Sequence, residues 1–167
     1  MKIGIDIDDV LLGFYPAYCK HYNIEQKQCD IWSIQDSGVT LENLNKLGVD
    51  FWQNLIPVFK VSEIGFHIDY YITSFDGKYI MNRIKNMIDY GFPIREFICC
   101  KSKDKINHII EKGIDIFIDD NPDTIKTIRD SDCKCVPIQF IPPYSTTKVV
   151  DGVMFAKNYK ELNNLLK

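Results

Sequence analysis

The sequence predicts an α/β fold with a central parallel sheet, and three observations carry that prediction. Short apolar runs alternate with helical patterns from about residue 70 onward, which is the rhythm of βαβ units joined by right-handed crossovers. Two apolar runs far apart in sequence, Ile3-Gly4-Ile5 and Ile114 to Ile118, lead into acid clusters. Between Gly13 and about His67 the alternation stops and gives way to aromatics and polar turns.

The first strand enters at Lys2 and runs into Asp6-Ile7-Asp8-Asp9-Val10-Leu11. Asp is disfavoured in strands and costly to bury unless paired or metal-bound, so acids at this position suggest chemistry. The second strand is Tyr70-Tyr71-Ile72, leading to Thr73 and Ser74, and a helix carrying Ile80, Ile84, Met87 and Ile88 follows. Phe97 to Cys100 is the third strand. A helix bearing Ile106, Ile109 and Ile110 comes next, with Gly113 as its stop, and then the strand ending at Asp119. A short helix begins at Pro122, the last strand candidate is Val136 to Phe140, and a terminal helix displays Leu162, Leu165 and Leu166.

The segment 13–66 reads as helices inserted after the first strand, with Thr40 capping a helix over Leu41, Leu44 and Leu47 that Gly48 ends. The expected organisation is a core of residues 1–12 and 67–167 carrying a helical cap of residues 13–66. Its aromatics, among them Tyr15, Tyr18, Phe51 and Phe59, read chiefly as the cap's own packing.

At 167 residues and a formal charge of -3, the chain suits one core domain with a modest insertion and lacks the basic field of a nucleic-acid or anionic-membrane binder. No run approaches the ~18 apolar residues that span a bilayer, and the first strand begins without a signal-peptide pattern. A cytoplasmic or similarly reducing location is therefore expected. The six cysteines, none in a Cys-x-x-Cys step, read as reduced thiols there. His21, His67 and His108 show no metal spacing and read as structural.

In an open parallel sheet, ligands bind at the carboxyl ends of the strands, where Asp6, Asp8, Thr73, Ser74, Asp119 and Asp120 would converge. Two carboxylates at one strand end can divide labour, one attacking phosphorus and the other exchanging a proton with the leaving oxygen. Repulsion between a carboxylate and an anionic phosphate has to be offset. Mg²⁺ on oxygen ligands would do so, with Asp119 or Asp120 completing its site. Thr73 offers a hydroxyl and an N–H to phosphate oxygens. The run Lys101-Ser102-Lys103-Asp104-Lys105 places positive charge and a helix start at the same rim.

Together these residues resemble the haloacid dehalogenase-like phosphohydrolases, whose four motifs occur in this order. Asp6-Ile7-Asp8-Asp9-Val10 is similar to the first, Tyr71-Ile72-Thr73 to the second, a lysine of 101–105 to the third, and Ile118-Asp119-Asp120 to the fourth. With the helical insertion, Ile72-Thr73-Ser74 and Ile118 to Pro122 resemble the 5'(3')-deoxyribonucleotidases within that superfamily. The resemblance implies a Rossmann-like three-layer core with the small helical cap. It further implies Asp6 as nucleophile and Asp8 as general acid/base, Mg²⁺ held by Asp6, Asp8 through its carbonyl, and Asp119 or Asp120, and phosphate bound by Thr73, Ser74 and Lys105, with Lys103 as second choice. Phe14 and Trp52 would face the substrate. The implied reaction is hydrolysis of a small phosphomonoester, a nucleoside monophosphate, through an aspartyl-phosphate. A sugar phosphate or a nucleic-acid 3'-phosphate end is the alternative substrate. No membrane or stable nucleic-acid partner is expected, and the chain would act as a monomer or homodimer. One departure stands out: many relatives carry Arg-Pro where this chain has Phe75 and Asp76, which removes a cation near the phosphate.

Overall fold

A computed structural model describes residues 1–75 and 77–167; Asp76 lies outside the described residues. Six strands, β1 (Ile3–Ile5), β2 (Tyr70–Thr73), β3 (Glu96–Cys99), β4 (Ile116–Asp119), β5 (Val136–Phe140) and β6 (Met154–Ala156), form one sheet in the order β3-β2-β1-β4-β5-β6. Every pairing is parallel. Strand succession runs outward in one direction from β1 to β3 and in the other from β4 to β6, so the topological switch point falls between β1 and β4. Ile5 pairs with Ile118, and the N–H of Asp6 extends that ladder to the Ile118 carbonyl at 2.8 Å. The register thus delivers Asp6 and Asp119 to the same edge.

Helices α1 (Phe14–His21), α2 (Ile34–Ser37), α3 (Leu41–Leu44) and α4 (Val49–Trp52) precede β2, and α5 (Ile80–Asp89), α6 (Lys105–Lys112), α7 (Pro122–Asp130) and α8 (Tyr159–Leu165) follow it. Ile109 of α6 and Ile128 of α7 bury against Ile72 and Phe117 on one sheet face. Met87 of α5 and Tyr159 and Leu162 of α8 bury with Ile3, Ile5, Tyr71 and Ile118 on the other. This is a three-layer α/β core, as the alternation predicts. Packing is tight at Gly4, where a Cβ would come within 2.8 Å of Ile114 Cδ1 and 2.9 Å of the Phe117 ring.

Several elements differ from the sequence reading. Helix α3 stops at Leu44, and Gly48 stands instead at the start of α4 with extended backbone. Thr40 caps α3, its hydroxyl accepting from the Asn43 N–H. The sheet continues past Phe140 to β6, whose three residues are too few for period to reveal. In α5 Met87 of the expected stripe is buried, but Arg83 and Asn86 are buried beside it, while Ile80 and Ile84 are half-buried and Ile88 is exposed. Polar partners turn the helix: Arg83 reaches Asp8, and the Asn86 amide donates to the Leu55 carbonyl.

Residues 13–66 contain helices α1 to α4 and a short 3-10 turn, and they pack largely through rings. Phe14, Phe51 and Trp52 pack together, with Phe14 against Trp52 at 5.9 Å and Phe51 against Trp52 at 5.1 Å between centroids. Backbone bonds from Val58 to Leu11 and from Thr146 to Cys29 tie the segment to the core, and one from Gly13 to Ile56 joins its two ends. All six cysteines are free, and no helix among the described residues is long and apolar enough to cross a membrane.

Candidate active site

Asp6 follows β1, Asp119 ends β4 and Asp120 comes next, and all three are buried. One carboxylate oxygen from each lies within 4.8 Å of the others. Lys105, the first residue of α6, is buried between them, its Nζ 2.7 Å from Asp119 Oδ2 and 3.0 Å from Asp6 Oδ1. The chain reaches this arrangement locally through the 3-10 turn of residues 102–104, which lets α6 begin at the rim. Lys101 and Lys103 are exposed. Burial alone would lower the Lys105 pKa, but Asp119 and Asp6 outweigh it and hold the ammonium firmly charged.

Two oxygens of this cluster remain without a hydrogen-bond donor. Asp6 Oδ1 has the Lys105 ammonium near it but off hydrogen-bond geometry, and Asp120 Oδ1 has no partner. Asp119 is fully engaged, accepting from Lys105 and from the Asn121 N–H at 2.9 Å. Burial pushes the Asp119 pKa up to about 6 and that of Asp120 well above the ordinary range. Three carboxylates against one ammonium leave two negative charges, which match one divalent cation. Buried orphan oxygens and an all-oxygen donor set fit a hard ion such as Mg²⁺.

Asp8 takes a different direction. Its Oδ1 is ion-paired with Arg83, and its Oδ2 lies 3.4 Å from the Thr73 hydroxyl. Burial raises the Asp8 pKa, with Arg83 as the largest opposing influence and Asp6 adding to the rise. Its carboxylate is not one of the three that converge. Asp9 turns away again, with φ of 57°, a left-handed conformation that Asp tolerates better than most residues. Its carboxylate accepts from the Tyr15 N–H at 2.9 Å, supplying α1 with the cap that Gly13 cannot, and from the Tyr144 hydroxyl at 2.6 Å. Burial lifts its pKa to about 7 although both hydrogen bonds pull it down.

Above these groups opens a cavity of about 450 Å³. Asp6, Asp8, Asp120, Ser74 and Lys105 line its floor, while Phe14, Trp52, Phe75 and Tyr79 line its wall. Thr73, fully buried, stands behind the floor, meeting Asp8. Trp32 closes over the rim from the segment before α2, its indole N–H donating to Asp120 Oδ2 at 3.1 Å. Of the sequence-predicted residues, Asp6, Asp8, Ser74, Lys105, Asp120, Phe14 and Trp52 line one cavity, Thr73 and Asp119 stand buried behind it against Asp8 and Lys105, and Lys103 takes no part.

Arg83, Trp32 and Tyr144 are site residues that sequence reasoning missed. Arg83 had a usable signal: Arg83, Asn86 and Met87 share the spacing of one helix face, and an acid-rich rim is short of cations. Trp32 and Tyr144 gave none, since each meets its partner only through long-range folding.

No protein-family model and no curated protein matches the sequence. Among solved structures, the chain is similar to a haloacid dehalogenase-like family hydrolase from Xanthomonas campestris. The TM-score is 0.50 at 12% identity, over 95% of this chain and 90% of that one. The chain shares that protein's fold. So low an identity carries the architecture and leaves the chemistry to the residues at the rim.

Proposed function

We propose that this chain is a Mg²⁺-dependent phosphomonoester hydrolase of the haloacid dehalogenase type, with a nucleoside monophosphate as its substrate. The observation that carries the reading is the division of the β1 carboxylates: Asp6 joins Asp119, Asp120 and Lys105, while Asp8 stands apart on Arg83 and Thr73. Asp6 suits a nucleophile, because it lines the cavity floor and Lys105 holds its Oδ1, which leaves Oδ2 for attack. Attack by this oxygen on phosphorus forms an Asp6–phosphorus bond and breaks the bond to the leaving oxygen, which takes its proton from Asp8. In the second half Asp8, now a carboxylate, takes a proton from water as the water attacks the phosphoryl group on Asp6. Inorganic phosphate leaves and both aspartates return to their starting states.

Asp6, Asp119 and Asp120 would hold Mg²⁺, joined by the Asp8 backbone carbonyl as the family resemblance implies. When bound, the ion offsets the charge of the phosphate against the carboxylates. Lys105 orients Asp6 and Asp119 and neutralises part of the transferred group's charge. Thr73 steadies Asp8, and Ser74 presents polar groups to the phosphate from the cavity floor. Packed rings of Phe14, Trp52 and Tyr79 would take the flat face of a base, with Trp52 and Tyr79 near parallel at 6.2 Å. The region 13–66 would act as the cap that excludes water and selects the substrate.

Phosphate release from deoxy- and ribonucleoside monophosphates, sugar phosphates and a 3'-phosphorylated oligonucleotide tests the reading, with Mg²⁺ or EDTA and with Asp6→Asn as control. Mg²⁺-dependent release concentrated on nucleotides is the expected result. Release from sugar phosphates alone would discard the substrate and keep the chemistry, and an active Asp6→Asn would discard the chemistry.

A further inference from the structure

Arg83 is the largest side chain sealed completely inside the molecule, at 0% exposure. Its guanidinium lies over the rings of Trp52 and Phe75, at 5.3 and 5.5 Å from their centroids. One nitrogen donates to Asp8 Oδ1, while Nε and the other terminal nitrogen meet no acceptor. A cation so desolvated is costly, and the one acceptor that meets it here is Oδ1 of the Asp8 carboxyl group. Such a costly arrangement, aimed at a single oxygen next to the cavity floor, calls for a purpose beyond packing.

Resting on the phosphatase reading above, we propose that Arg83 is the positioning residue of proton transfer. It reserves Asp8 Oδ1 for itself, leaves Oδ2 as the atom that carries the proton, and meets the negative charge that appears on Asp8 as the proton departs. Thr73 lies 3.4 Å from Oδ2 and completes the orientation. In the first half-reaction the Asp6–phosphorus bond forms, the bond to the leaving oxygen breaks, and the proton moves from Asp8 Oδ2 to that oxygen. In the second, Oδ2 takes the proton back from the attacking water. Arg83 touches no reacting atom and works by preorganising the carboxyl that does. The same guanidinium packs on Trp52 and Phe75, which line the cavity wall, so occupancy of that wall and the placement of Asp8 share one side chain.

Leaving-group dependence separates this role from a merely structural one. An alkyl phosphomonoester needs its alkoxide protonated as it leaves, whereas p-nitrophenyl phosphate releases a stable phenolate without a proton. Arg83→Met should lower first-turnover cleavage of the alkyl ester by roughly 100-fold or more, the scale of a general-acid contribution. It should leave the first turnover of p-nitrophenyl phosphate within about threefold, followed by a slow steady state because the water step also uses Asp8. The signature is a burst of one equivalent of nitrophenolate that the wild type lacks. Arg83→Lys, which keeps the charge and should fold if the methionine variant does not, is expected to show the same selectivity to a smaller degree. Equal losses on both substrates in a folded variant, or wild-type rates on both, would overturn the proposal while the wild type's turnover keeps the phosphatase reading standing. A wild type inert toward both esters would remove that reading and this proposal with it.

Discussion

The rim of the sheet and the segment over it are built on different physical terms. At the rim, strand register places Asp6 and Asp119 side by side, and a buried lysine locks both. Over it, helices α2 to α4 have four residues each, fewer than an isolated helix can sustain, so ring packing and a few bonds to the core hold them in place. The contrast teaches where precision and adaptability reside. Under the proposed function, chemistry would sit on elements whose geometry a hydrogen-bonded ladder enforces, and recognition on short elements that side-chain packing can reshape.

The comparison breaks most sharply at Asp6. Asp6→Asn should abolish phosphate release, to below about one part in 10⁴ by the scale of losing a covalent nucleophile, while its thermal unfolding stays cooperative. Fold and chemistry would then separate at one atom. Lys105→Met comes next and should damage both at once, because Asp6 and Asp119 are left uncompensated in the interior. We expect a loss of about 3–5 kcal/mol in denaturant unfolding without metal, and partial restoration by millimolar Mg²⁺. A stable Lys105→Met protein would show that the carboxylates tolerate their own repulsion.

Effects on the rim should also depend on pH. Asp9 and Asp119 have pKa values near 7 and 6 in the fold against an ordinary 3.8. Between about pH 4 and pH 7 the folded chain therefore binds more protons than the unfolded one, and its stability falls as pH rises through that window. The Tm in EDTA should thus be higher at pH 5 than at pH 8, and the stabilisation by Mg²⁺ should be greater at pH 8, where its ligands are ionised. Equal Tm values at both pH values in EDTA would contradict the buried-carboxylate account.

The segment over the rim should respond more mildly. Phe14→Leu keeps an apolar side chain and removes the ring that packs near parallel to Trp52. KM for a nucleotide should rise roughly fivefold to twentyfold, the scale of one aromatic contact, with kcat within about threefold. A fall in kcat with KM unchanged would move Phe14 from recognition into chemistry. The smallest effect belongs to Trp32→Phe, which removes the indole donor from Asp120. A shift of Mg²⁺ affinity by roughly twofold to tenfold, read by calorimetry without substrate, matches the loss of one neighbour that orients a ligand.

Legibility in the sequence follows the same division. β-branched runs and their acids mark the core strands, and the order of the acids along the chain suffices to bring them to one edge, because parallel strands all present the same end. The family resemblance implies Lys105 ahead of Lys103, and burial is what sets Lys105 apart from the exposed Lys101 and Lys103. Arg83 sits beside the apolar stripe of its helix in the sequence, yet Asp8, 75 positions earlier, draws it inside. Trp32 and Tyr144 reach Asp120 and Asp9 across 88 and 135 positions. No local pattern records such partners.

By itself, then, the sequence determined the parallel α/β core and the delivery of Asp6, Asp119 and Asp120 to one rim. Local period and the polarity of parallel strands are enough for that. Tertiary structure alone decided which carboxylate faces which cation: Asp6 and Asp119 to Lys105, Asp8 to Arg83, Asp9 to Tyr144 and the start of α1. A buried charge is tolerated only beside a specific partner, and that partner is chosen by packing in three dimensions rather than by spacing along the chain.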